Sequence, residues 1–85
     1  MKFEVVLSRE AARTLGKLTP SLSRRVLAAM EKLRSDPQKG KRLHGELEGL
    51  FRLRVGGMRV VYETDLERNV VIVHAVGPRG DVYKN

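Results

Sequence analysis

The sequence contains no cysteine and no tryptophan, and its only aromatic residues besides histidine are two Phe and two Tyr. Without cysteine there is no disulfide framework and no thiolate metal site, and a reducing compartment, the cytoplasm, is the expected home. Long apolar runs are also missing. None approaches the roughly 20 residues of a membrane-spanning helix. The apolar stretch in MKFEVVLSRE is too short, and too soon interrupted by charge, for a secretory signal. No membrane partner is therefore expected. Phosphate-cradling and dinucleotide-binding glycine motifs are absent. The histidines, His44 and His74, stand thirty residues apart with no cysteine or acidic cluster beside them, which makes no recognisable metal site. No cofactor is expected. Repeats, linkers and low-complexity segments are missing as well. The whole chain, 1–85, reads as a single domain. Hydrophobic residues at 41% and charged residues at 32% are the balance of an ordered globular protein rather than a disordered tail.

What the chain has in excess is positive charge. Seventeen Lys and Arg face ten Asp and Glu, a formal net charge of +7. On so small a surface this favours a polyanion as partner, because each phosphate contact releases condensed counterions. Eleven of the seventeen are arginine, the side chain whose planar fork matches phosphate or carboxylate. Nucleic acid is the expected partner. No helix pairs a broad apolar face with bulky aromatics, which disfavours a membrane surface.

Periodicity divides the chain in two. Residues 2–7, KFEVVL, read as a strand. Ser8 is a suitable N-cap for a helix over about 9–17, with Ala11, Ala12, Leu15 and Leu18 near one side and Gly16 weakening its end. Thr19-Pro20 restarts the helix, with Thr as cap and Pro at the first helical position, where its missing N–H costs nothing. Leu22, Val26, Ala29, Met30 and Leu33 form the apolar stripe of this second helix, and Arg24, Arg25, Glu31 and Lys32 lie largely off it. Ser35-Asp36-Pro37 ends it, near Arg34. Residues 38–49 form a glycine-punctuated connection with little periodicity. Beyond it the period becomes two. Residues 70–76 then make a nearly all-apolar strand, expected to be central with both faces covered. Gly77-Pro78 ends it, before a short tail. The expected fold is α+β: an N-terminal strand, a helical hairpin, then a three-stranded antiparallel meander, forming one roughly four-stranded sheet.

Function enters through the meander. Phe51, Leu53 and Val55 alternate with Arg52 and Arg54; after Gly56-Gly57, Met58, Val60 and Tyr62 alternate with Arg59, Val61 and Glu63. Two alternating runs around a Gly-Gly pair signal a tight hairpin. With the glycines as turn residues, Arg54 lies directly opposite Arg59 and Arg52 shares their face, while the apolar set takes the core side. Like charges directly opposite on a sheet are destabilising. Two explanations stand: salt bridges to Glu46, Glu48 or Glu63 on a solvated face, or a phosphate supplied by a partner. Arg79, soon after the last strand, is placed to join the cluster. The face taken by His74 depends on the register after Asp65, which the sequence leaves open, and His44 lies in the basic connection as an exposed polar residue.

The string KRLHGELEGLFRLRVGGMRVVYE, followed by VGPRGDVY, resembles the RelE/ParE superfamily of toxins from toxin–antitoxin pairs. The likeness covers nearly the whole chain: a first strand, a helical hairpin ending near Asp-Pro, a loop K-x-L-x-G-x-L-x-G, the strands R-x-R-V and R-V-V-Y, and a closing V-G-x-R-x-x-V-Y. Each motif is short; their order and spacing carry the resemblance. It implies the RelE-like, microbial-ribonuclease-like α+β fold and a cognate antitoxin as partner. For the RelE branch it implies a metal-independent endoribonuclease that enters the ribosomal A site and cuts messenger RNA by attack of a ribose 2′-hydroxyl on the adjacent phosphate. The ParE branch, with the same fold, inhibits DNA gyrase and lacks most of the catalytic set. The RelE-type catalytic positions match Arg52, Arg54, Arg59, Arg79 and Tyr83. One departure is plain: the familiar ribonuclease members carry lysine at the positions of Arg52 and Arg54. Arginine stays charged across the working pH range and does not give up its proton, so these side chains are expected to act as electrostatic clamps. Tyr83 serves as a base only if neighbouring arginines depress its pKa, and otherwise stacks on a nucleobase.

Overall fold

A computed structural model of the chain describes residues 2–78. The first strand, β1, spans Glu4–Leu7. Ser8 then caps α1, Arg9–Lys17, accepting the Ala11 N–H on its hydroxyl at 3.0 Å. Thr19 does the same for α2, Pro20–Lys32, accepting from the Leu22 N–H at 3.3 Å. Both caps satisfy N–H groups that the first helical turn leaves without partners. Along the two helices Ala11, Leu15, Val26, Met30 and Leu33 are buried at helical spacing. They meet Phe51, Val55, Met58, Val60, Tyr62, Val71, Val73 and Val76 in one core. Ala12 points to solvent instead. No helix among the described residues is long and apolar enough to cross a membrane.

The sheet has five strands in the order β1-β5-β4-β3-β2, where β2 is Lys41–Arg42, β3 Leu50–Val55, β4 Met58–Asp65 and β5 Val70–Pro78. β1 pairs with β5 in parallel, and the other pairings are antiparallel. The meander and its helical hairpin are as the sequence predicts. The strand beyond the expected four is β2, two residues inside the connection that shows no periodicity, followed by a short 3-10 helix at Gly45–Leu47. β5 runs on through Gly77 and Pro78, which pair with Arg59 and Met58.

The expectation that this last strand is covered on both faces is corrected. β5 is central, between β1 and β4, but the buried core residues of both helices pack on one side of it. On the other side, among the described residues, Ile72 is half-exposed and His74 exposed. Its apolar run reflects a central position in the sheet rather than a second covering layer.

Candidate nucleic-acid interface

The β3–β4 hairpin forms in the register that the alternating sequence dictates: Val55 faces Met58, Arg54 faces Arg59 and Arg52 faces Val61. Gly56 takes φ of +59°, and among the two turn residues only it lies in the left-handed region, as in a type II′ turn. Phe51, Val55, Met58, Val60 and Tyr62 are buried toward the helices. Arg52, Arg54 and Arg59 therefore share the face turned away from the helices. β2 adds a fourth cation, since Lys41 lies opposite Arg52. Arg52 and Arg59 are half-buried, while Arg54 and Lys41 are exposed.

The floor beneath these charges is apolar. Val61 is 2% exposed yet stands outside the helix-side core. Its register partners are Arg52 on β3 and Ala75 on β5, so it lies on the cationic face. Arginine stems characteristically cover such a floor while their heads reach solvent. At the hairpin tip, Arg54, Gly56, Gly57, Met58 and Arg59 line an open pocket of about 300 Å³.

Lys41 was not legible as a site residue, and its position depends on Tyr62. That side chain is fully buried, stacks on Phe51 with ring centroids 5.3 Å apart, and accepts the Gly40 N–H on its hydroxyl at 2.9 Å. Burial pushes the Tyr62 phenol above its ordinary pKa; the Gly40 hydrogen bond opposes this and the Asp36 charge adds to it. Gly40 has no room for a side chain: a Cβ there would lie 2.6 Å from the Arg52 carbonyl oxygen and 2.8 Å from the Tyr62 hydroxyl. The contact brings the chain tightly against β3 immediately before Lys41 pairs with Arg52. A glycine before a basic pair was the available signal, but a close approach of two backbones is not written in spacing.

Of the acidic residues considered as partners for the arginines, Glu63 is engaged elsewhere. Glu63 bonds His74, with Nε2 2.5 Å from Oε1. Further ion pairs join Arg34 to Glu31 at 3.1 Å and Arg68 to Asp65 at 3.9 Å. Among the described residues, no ion pair holds Arg52 or Arg54. His44 precedes the 3-10 helix without a side-chain bond to it and lines a separate pocket with Arg42, Phe51 and Thr64, away from the four cations. There Arg42 lies over the Phe51 ring, 5.7 Å from its centroid. Arg25, on α2, approaches the hairpin tip from the helix side: a Cβ on Gly56 would lie 3.3 Å from its guanidinium. With Lys32, Lys39 and Arg54 it lines a groove of about 400 Å³. Arg79 and Tyr83 lie outside the described residues. Among the described residues, no three His, Asp or Glu side chains gather as metal ligands would.

The face thus offers fixed positive charge around an apolar floor, an arrangement suited to a phosphate diester whose charge grows as it reacts. Residues 5–83 match the family described as the ParE toxin of the type II toxin–antitoxin system parDE. A relative described as toxin RelE1, from Methanocaldococcus jannaschii, is 30% identical over 90 residues, covering 100% of this chain and 99% of its own. The toxin–antitoxin complex RelBE2 from Mycobacterium tuberculosis contains a chain that superposes with a TM-score of 0.84 at 33% identity, covering 93% of this chain and 100% of that one. In the archaeal RelE–RelB complex from Pyrococcus horikoshii the corresponding values are 0.78 and 25%, with 95% and 99% covered.

Proposed function

This chain belongs to the RelE/ParE superfamily of type II toxins, and from that premise we propose that it is a ribosome-dependent endoribonuclease acting on messenger RNA. The observation that carries the reading is the pairing of Arg54 with Arg59 across the hairpin, with Arg52 and Lys41 on the same face. A sheet shaped for stability alone avoids like charges at directly opposed positions. Such an arrangement is favoured when a phosphate binds where the two guanidinium groups face one another.

In this mechanism the ribose 2′-hydroxyl attacks the adjacent phosphate. Arg52, Arg54, Arg59 and Arg79 neutralise the pentavalent phosphorane, and Lys41 extends the clamp along the strand. Arginine stays charged throughout, so the contribution of these residues is electrostatic rather than proton transfer. Tyr83 is assigned to the substrate, as a stacking partner for a base. The ribosome supplies alignment of the message, itself a large catalytic term. The cellular partner is a cognate antitoxin, consistent with the RelE–RelB assemblies of the relatives. An acidic amphipathic segment that folds on binding would complement the cationic face.

Primer extension on translated messages after induction tests the reading. New 5′ ends within codons are expected, and they should vanish for Arg59→Ala and Arg79→Ala while both variants still bind the antitoxin. A second reading, inhibition of DNA gyrase, is favoured by the family description of residues 5–83 as ParE-type. It predicts DNA-damage induction with intact messages.

A further inference from the structure

The cationic face carries an imidazole that the arginine clamp leaves unused. Along β4 and β5 the register shifts: Val61 faces Ala75, but Tyr62 faces Val73. His74 is the extra residue between them. A bulge of this kind re-aims a side chain, and bulges are frequent beside active sites. This one is held from two directions by Ser8, the cap of α1. The Ser8 N–H donates to the Val73 carbonyl at 2.9 Å, and the Ser8 hydroxyl donates to the His74 carbonyl at 2.7 Å. The exposed ring of His74 then meets Glu63, with Nε2 2.5 Å from Oε1. Glu63 follows Val61 by two residues on β4 and so shares its face. Since Val61 is the partner of Arg52, Glu63 sits diagonally from Arg52, about 7–8 Å away by sheet geometry.

Resting on the ribonuclease reading, we propose that His74, oriented by Glu63, is the general base that removes the 2′-hydroxyl proton. Nε2–H donates to the Glu63 carboxylate, which leaves the Nδ1 lone pair free. Nδ1 takes the proton as the 2′-oxygen bonds to phosphorus and the bond from phosphorus to the 5′-oxygen breaks. The departing 5′-oxygen takes a proton from water, and the hydroxide so formed receives the proton held by the imidazolium. The products are a 2′,3′-cyclic phosphate and a 5′-hydroxyl end. Glu63 stabilises the imidazolium as the third member of a catalytic triad does. Arginine lacks this chemistry because it does not titrate in the working range. The charged group that meets the ring is Glu63 from β4; the register places the other charged residues of this face farther along the strands, Arg59 opposite Gly77, Arg52 opposite Val61 and Glu4 opposite Val70; α1, which opens with Arg9, packs on β5 from the other side. As a purely structural pair, two half-exposed groups contribute little, so activity and stability separate the two roles.

The test is single-turnover cleavage on ribosomes saturated with toxin. His74→Ala and His74→Gln should each slow cleavage by roughly a hundredfold or more, with thermal unfolding and ribosome binding unchanged. The pH dependence of the wild-type rate should change in His74→Gln, and added imidazole should restore part of the His74→Ala rate. Glu63→Gln should show a smaller loss. A message with sulfur at the scissile 5′ position should rescue neither His74 variant, because leaving-group protonation is not what they lack. Wild-type cleavage with both His74 variants within about twofold of it, at an unchanged pH profile, overturns the assignment while leaving the ribonuclease reading intact. Rescue by 5′-sulfur overturns it too, by moving His74 to the leaving group. Failure of the wild type to cut any message sinks the ribonuclease reading and this inference with it.

Discussion

Tyr62 ties the core to the cationic face through one hydroxyl, which accepts the Gly40 N–H while the ring stacks on Phe51. Tyr62→Phe leaves that N–H without its partner in a crowded site and should cost about 1–3 kcal/mol in urea unfolding. The same residue gives the fold an alkaline limit. Burial raises its pKa above the ordinary value near 10, so the folded state holds the phenolic proton more tightly than the unfolded chain does. The associated stability is fully present below pH ~10 and is lost as pH rises through the folded-state value. Unfolding free energy measured against pH should fall in that alkaline range for the wild type and fall less steeply for Tyr62→Phe. An equal slope in both would remove Tyr62 as the cause.

The elements differ in how openly the sequence announces them. The β3–β4 hairpin was legible because two runs of period two flank Gly56-Gly57, so the opposition of Arg54 and Arg59 followed from counting. The helices were legible from their caps, Ser8 and Thr19-Pro20. β2 was not, since two residues carry no period and its placement depends on how closely Gly40 approaches Arg52. Gly40→Ala tests that dependence. The added Cβ collides with backbone, and overpacking of this sort should cost about 1–3 kcal/mol. Hydrogen exchange at Lys41 and Arg42 should accelerate more than at β4. The bulge at His74 was hidden for a different reason. The run VVIVHAV is apolar at nearly every position, so nothing in it marks which residue faces which side. Only the Ser8 contacts and the register with β4 decide it.

At the scale of the whole molecule, charge is divided between two surfaces that meet at Arg54. One is the sheet face with Lys41, Arg52 and Arg59; the other is the groove of Arg25, Lys32 and Lys39 on the helix side. Their expected roles differ. Groove cations contact the phosphate backbone without reaching the reacting atoms. Arg25→Ala with Lys32→Ala should therefore lower the slope of log affinity against log salt for ribosomes by about two. Arg59 is fixed by a strand in the middle of the sheet, and its loss removes a donor pre-positioned for the transition state. The most direct measurement compares both variants in single-turnover cleavage on saturating ribosomes, where differences in docking drop out. Arg59→Ala should be slower than wild type by roughly a hundredfold or more, with the Arg25→Ala, Lys32→Ala variant within a few-fold of wild type. A double variant as slow as Arg59→Ala, or Arg59→Ala cutting at the wild-type rate, would contradict the assignment of the sheet face as the surface that cuts.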